Sequence, residues 1–295
     1  MLSFFYIIIP VLAWGTWLLP SQNIVFRNQQ IKTFYVASAN LLLSLLVLLI
    51  QGGQGLSWNV FWLPFLGGLL WAVSGFLAFT ATDRLGMARA FGLWAPVNVL
   101  VSIFWGIVIF GEMLNAGPQT LVFFALALVI ILAGVLLIIF AKGFGGPAQS
   151  QAVLLPGLLA AVGAGVLWGS YFIPIQLSAA SMWVATFPLC VGIFVGSLIL
   201  VLLPRQSIRL AHASDYVRVA ATGLLWGIGN YGMLLLVDAF GAGRGFTISQ
   251  LGIVVNGLLG IYVLKDPPPR SRAATLTLIG CVCATVGGIM MGALK

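Results

Sequence analysis

Charge is what this chain has least of. Of 295 residues 13 are basic and 5 acidic, so charged residues make up 6%, where soluble domains carry about 25%. So few charges cannot cover the surface of a soluble protein of this size, and an integral membrane protein is expected. Cysteine and histidine are scarce too. Cys190, Cys281 and Cys283 lie in apolar stretches, and His212, the one histidine, lies in a polar stretch. An odd cysteine count without ligand spacing gives neither a disulfide framework nor a metal cluster. No nucleophile has a base beside it, and no acids pair in mid-span, so enzymatic chemistry, cofactor and metal are not expected. The net charge of +8 is scattered with no basic run, which excludes a nucleic-acid partner. The chain also lacks a charged leader region and a small-residue cleavage site, so its first apolar segment is expected to stay in place as a span.

What is abundant is apolar: 61% hydrophobic residues, with 36 glycines and 10 tryptophans. Glycine lets membrane helices approach closely and tryptophan favours the lipid interface. A bilayer-crossing helix needs roughly 20 mostly apolar residues. Ten segments qualify, at about 3–20, 33–51, 59–82, 88–111, 118–140, 152–176, 182–203, 216–238, 244–264 and 273–293. Glycine- and proline-rich breaks separate them, among them Gly52-Gly53, Gly117-Pro118 and Pro267-Pro268-Pro269. The runs are too long, and alternate too little, for barrel strands. The loops after the odd-numbered spans carry Arg27, Lys32, Arg84, Arg89, Lys142, Arg205, Arg209, Arg218, Lys265, Arg270 and Arg272; the other side has only Arg244 and Lys295. Basic residues of short loops stay cytoplasmic, so both termini are expected outside a plasma or inner cell membrane.

The two halves resemble each other. Trp14-Gly15 through Pro20 and Gln22 matches Trp168-Gly169 through Pro174 and Gln176 at an offset of 154. Gly68-Leu69-Leu70-Trp71 matches Gly223-Leu224-Leu225-Trp226 at an offset of 155, and Asp83, Gly86, Arg89 and Phe91 match Asp238, Gly241, Arg244 and Phe246. Glu112 falls opposite Asp266. Five spans per half is an odd number, so the second half enters the membrane the opposite way. The expected organisation is all-α: residues 1–143 and 152–295 as two inverted five-helix repeats, joined by a short linker at 144–151. Such repeats are the frame of many secondary transporters, because two oppositely oriented bundles can exchange conformations around a shared site.

Polar side chains at membrane depth must find partners or line a cavity. Here they are mostly neutral. Asn40 stands midway along the second span. Trp94, Asn98, Ser102 and Trp105 share one face of the fourth. Trp226, Asn230 and Tyr231 stand in the eighth, and Ser249, Gln250 and Asn256 in the ninth. With Trp14 and Trp71 these make a candidate substrate site. Asn, Gln and Ser both donate and accept, while Trp and Tyr offer flat apolar faces. A sugar, with hydroxyls on its rim and C–H groups on its faces, needs both. An organic cation would want a buried carboxylate and a phosphorylated solute a buried Arg or Lys, and neither stands mid-span. The competing reading is helix glue and interface anchoring. Asp83, Arg89, Glu112, Asp238 and Arg244 lie near span ends, where they pin turns or cap helices, or else serve coupling and gating. Protons are a candidate co-substrate, which the absence of a mid-span carboxylate leaves without support from pattern alone.

Trp226-Gly227-Ile228-Gly229-Asn230 followed by Thr247-Ile248-Ser249-Gln250-Leu251 resembles the glucose/ribose porter family of bacterial sugar uptake proteins, and the first motif also resembles L-rhamnose–proton symporters. Ala90, Pro96, Phe110-Gly111-Glu112 and Gly134 resemble the general pattern of the drug/metabolite transporter superfamily that holds both. The resemblance implies ten helices in two inverted halves, a central site, and uptake of a monosaccharide with protons. It carries Trp226, Asn230, Ser249 and Gln250 as site members. Lys265-Asp266-Pro267 departs from the family's Gly-Glu, and Trp94 through Asn98 departs from the glucose porters, so the sugar is left open. Export of a metabolite or amino acid, as elsewhere in the superfamily, is the alternative. Oligomeric state is not legible.

Overall fold

The computed structural model describes residues 2–111, 116–141, 151–205, 207–240, 249 and 251–293. It is 81% helix, and the described residues contain no strand. The helices are α1 (Leu2–Thr16), α2 (Gln29–Ile50), α3 (Trp58–Leu85), α4 (Met87–Phe110), α5 (Pro118–Phe140), α6 (Gln151–Ser170), α7 (Phe172–Leu177), α8 (Met182–Leu202), α9 (Ala213–Phe240), α10 (Gly252–Leu258, continued by a π-helical turn at Leu259–Val263) and α11 (Arg272–Gly292). Continuous apolar runs dictate this. In lipid the backbone finds no water, so a helix, which pairs its own N–H and C=O groups, is the available form.

Seven of these helices are long and apolar enough to cross a membrane: α2, α3, α4, α5, the α6–α7 pair, α8 and α11. Their outer faces are those of a membrane protein turned toward lipid: Leu49, Val129 and Phe140 stand more than 60% exposed. Trp58, Phe61, Trp62 and Phe65 stack along the start of α3, the rim position that amphipathic rings favour.

The first and sixth segments differ from the sequence expectation. The first segment leaves the helix after Thr16, four residues before Pro20. The sixth is two helices, broken at Tyr171. Pro174 lies inside α7, and Pro96 sits inside an unbroken α4.

The halves pack into each other rather than side by side. Helix α3 packs on α6 and α8, and α9 packs on α1 and α2; α4 packs on α6 as α10 packs on α1; α5 lies along α11. Exchanging the halves carries each of these pairs onto a member of the set, with α5–α11 carried onto itself. The crossings match in detail. A Cβ added at Gly15 would meet Val255 Cβ at 2.6 Å and the Gly252 carbonyl at 3.1 Å; one added at Gly169 would meet Val101 Cβ at 2.6 Å and the Asn98 carbonyl at 2.8 Å. Val101 and Val255, like Asn98 and Gly252, are 154 residues apart. The next residues on the same faces repeat the pattern: Asn256 Nδ2 donates to the Gly15 carbonyl at 3.2 Å, and Ser102 Oγ to that of Gly169 at 3.4 Å. Gly68 likewise lies against the backbone of Leu189 and Gly192, and Gly223 against that of Val36. Only glycine permits these approaches.

One charge counted with the loops does not belong there. Lys32 is 4% exposed in the first turn of α2, its ammonium 4.6 Å from the Phe79 ring centre and 5.8 Å from that of Phe26. The aromatic faces attract the cation.

Candidate functional site

Where the halves meet, six tryptophans converge. Trp14 comes from the last turn of α1, and Trp17 from the chain just beyond it. Trp71 comes from the middle of α3, Trp94 from α4, Trp168 from the last turn of α6 and Trp226 from α9. They enclose a cavity of about 50 Å³, completed by Phe91, Asn98, Tyr171 and Phe172. The rings meet edge to face or tilted. Trp71 is 4.7 Å from Trp226 and 5.9 Å from Trp168, centre to centre, and Trp94 is 5.3 Å from Trp168. These are favoured separations for quadrupolar rings. Three pairs of wall residues are repeat counterparts: Trp14 with Trp168, Trp17 with Tyr171, and Trp71 with Trp226. The break after α6 serves the wall, since it turns Tyr171 and Phe172 onto it.

Among the described residues the wall has no charged side chain. Its polar side-chain groups are indole N–H groups, the Asn98 carboxamide and the Tyr171 hydroxyl. Trp14 Nε1 donates to the Trp226 carbonyl at 3.1 Å. Trp71 Nε1 and Trp168 Nε1 are buried and have no acceptor among the described residues. Asn98 Oδ1 accepts from Ser102 Oγ at 3.2 Å. Below the wall, Trp105 Nε1 donates to Ser170 Oγ at 2.8 Å, so the polar stripe of α4 is divided between cavity and α6.

Of the expected substrate residues, Trp14, Trp71, Trp94, Asn98 and Trp226 line this cavity. The other described ones are not among its lining residues. Asn40 and Asn230 are each 1% exposed at the crossing of α2 and α9, where Asn40 Oδ1 faces Gly227, and neither carboxamide has a hydrogen bond. The Tyr231 ring stacks on Trp183 of α8 at 5.3 Å. Asn256 is spent through its amide on Gly15, its Oδ1 unpartnered. Ser249 is buried, and Gln250 lies outside the described residues. The sequence reading passed over Trp17, Phe91, Trp168, Tyr171 and Phe172. The repeat alignment held the means to find Trp168, as the counterpart of Trp14.

The charged candidates are elsewhere. Asp83 is exposed at the end of α3. Arg89 does not pin its own hairpin through Asp83: it pairs with Asp266 of the other half, Nη2 to Oδ1 at 3.2 Å. The Asp266 carboxylate rests against Gly86, whose φ of +81° suits a residue without Cβ. Glu112 and Arg244 lie outside the described residues, as does the side chain of Asp238, whose backbone ends α9. Among the described residues no three His, Cys, Asp or Glu gather as a metal site.

The family model for sugar transport proteins matches residues 6–294. The chain belongs to this family. Relatives agree over full length. A sugar uptake protein of Enterococcus faecalis is 27% identical over 100% of both chains. A glucose uptake protein, GlcU, of Bacillus cereus is 25% identical, again over 100% of both. A solved crystal structure superposes with a TM-score of 0.65 at 20% identity, covering 97% of this chain and 94% of that one; it shares the fold. Family and helices together make this a multi-pass membrane protein of sugar transport, and the relatives carry the names of uptake proteins rather than enzymes.

Proposed function

We propose that the chain takes up a monosaccharide, or a similar neutral polyhydroxylated solute, as a secondary transporter working by alternating access. The carrying observation is the uncharged, tryptophan-walled cavity at the meeting of the two halves. Its rings suit the C–H faces of a sugar, and its N–H groups suit the oxygens. A volume of about 50 Å³ holds a few waters and falls well below the roughly 300 Å³ at which ligand pockets begin. The reading is therefore of a closed chamber that must widen to load. The proposed frame is two inverted repeats, residues 1–143 and 152–295 about a linker at 144–151, with ten helices spanning. The matched crossings of Gly15 with Val255 and Gly169 with Val101 support it, as do the matched hydrogen bonds to both glycine carbonyls. The proposed orientation has both termini outside, and a reporter fused after Lys295 that works in the cytoplasm overturns it.

Trp14, Trp71, Trp94, Asn98 and Trp226 are the proposed substrate wall, with Asn40, Asn230, Tyr231, Ser249, Gln250 and Asn256 as polar groups within reach of a widened chamber. Asp83, Arg89, Glu112, Asp238 and Arg244 are the proposed coupling and gating set. Among the described residues no carboxylate lines the wall, and proton coupling is proposed to run through this outlying set. The names of the relatives support uptake over export. The test is purified protein in liposomes, given labelled D-glucose, D-ribose and L-rhamnose in counterflow, with and without a pH gradient. Saturable accumulation of one sugar is expected. Counterflow of none, with amino acids or other metabolites moving instead, overturns the reading. A pH gradient that leaves accumulation unchanged removes the proton.

A further inference from the structure

The two unspent donors in the wall have a cause in the sequence. Trp14 satisfies its indole on the carbonyl of Trp226. The repeat counterpart of that bond would run from Trp168 to the carbonyl of Trp71, and it is not made: Trp168 Nε1 has no partner. The reason is three residues further on. The Trp71 carbonyl already accepts from Ser74 Oγ at 2.8 Å. The counterpart of Ser74 is Gly229, and the Trp14 indole lies in the space that a Cβ at Gly229 would fill. Serine in one half thus occupies the acceptor and the room that glycine leaves open in the other. Trp71 Nε1 is likewise unpartnered, and the two rings lie 5.9 Å apart on the same wall.

An unpaired buried donor is costly, and two tryptophans of this wall carry one each, both closed off from water as the chamber stands and reached only when it widens. An indole N–H donates only. Whatever satisfies this pair must therefore offer oxygen lone pairs, and the absence of charge in the wall makes that oxygen a neutral one.

We propose that Trp71 and Trp168 are substrate-contacting residues that donate their indole N–H groups to sugar oxygens, so that the site reads those oxygens as acceptors, and that Ser74 is a positioning residue that keeps the Trp168 donor free. This rests on the sugar-uptake reading above. Trp168 is new to the site. Ser74 acts without touching the substrate.

The distinguishing probe is chemical. A C–F group accepts weakly and cannot donate; a C–H group does neither. Deoxy and deoxyfluoro analogues of the panel sugar taken up fastest, D-glucose in the first instance, are set to compete with uptake. At one position or two, the deoxy analogue is expected to compete roughly tenfold less well than the parent, with the fluoro analogue between or near the parent. Trp168→Phe keeps a ring and removes the donor. It is expected to weaken the parent sugar roughly tenfold and to leave the matching deoxy analogue unchanged. Ser74→Gly, which opens the Trp71 carbonyl to Trp168, is expected to weaken the parent in the same selective way, and Ser74→Thr to restore it. Equal weakening of parent and deoxy sugar, or unchanged competition in Trp168→Phe, Trp71→Phe and Ser74→Gly, overturns the proposal while sugar uptake stands. Absence of sugar uptake by the unmodified protein overturns the underlying reading instead.

Discussion

Two corners of the same chamber, related by the repeat, spend their tryptophans differently. At one, Gly229 lets the Trp14 indole settle on α9 and tie α1 to it through the Trp226 carbonyl. At the other, Ser74 takes the Trp71 carbonyl for itself, and Trp168 keeps its donor. The helices cross alike in both places. A single side chain decides whether a tryptophan staples the wall or remains available to what enters it. A second difference follows the same line. The counterpart of Asn230 is Gly75, against which the Trp71 ring is folded. Where one half buries a ring over bare backbone, the other places a carboxamide without a partner.

The crossings that hold the two corners alike are where the largest effects are expected. Gly68→Val and Gly223→Val each drive side-chain atoms into the backbone of the opposite half, and overpacking of this kind costs about 3 kcal/mol or more. Both proteins should lose their cooperative thermal transition in detergent, or show it far lower, and by similar amounts. A benign Gly223→Val beside a damaging Gly68→Val would break the equivalence of the halves.

Gly229→Ser tests the corner itself. The new Cβ occupies the place of the Trp14 indole, so a strained contact and the loss of one buried hydrogen bond are expected to cost about 2 kcal/mol. A midpoint as high as that of the unmodified protein would show that the indole has somewhere else to go.

Asn230→Ala goes the other way. Removing an unpartnered buried carboxamide relieves about 1 kcal/mol or more of unmet desolvation, so the thermal midpoint should hold or rise while sugar counterflow falls at least tenfold. Normal counterflow would return Asn230 to a packing role. The smallest effect belongs to the ion pair between halves. Asp266 is about half exposed beside a largely buried Arg89, and such pairs contribute about 1 kcal/mol or less. Arg89→Gln should shift the midpoint little, and less still in high salt. A large shift would show that this contact, which has no counterpart among the described residues, carries the closed form.

The membrane frame was legible because lipid enforces it. Long apolar runs and glycine breaks are both written in the composition of short windows. The helices fall where those windows do, apart from ends such as Thr16 and the break at Tyr171, which local hydropathy does not mark. Five of the eleven expected substrate residues reached the wall, and the reason is similar. Helical spacing says that Trp94 and Asn98 share a face, but not that Ser102 and Trp105 further along it turn to α6. The alignment with Trp14 pointed to Trp168 as a wall residue, but only the residue three places beyond Trp71, compared with the one beyond Trp226, shows that the two tryptophans spend their donors differently. Lys32 was read as a loop charge because sequence shows no rings until Phe79 folds over it.

The concentration of indoles at the centre gives the molecule an optical consequence. Six of its ten tryptophans surround one chamber, while Trp58 and Trp62 stand on the outer surface. Brominated lipid tails should dim the outer pair and spare the inner ones, so that the remaining ultraviolet emission shifts with the arrival and departure of a solute, and the carrier reports its own traffic without a dye.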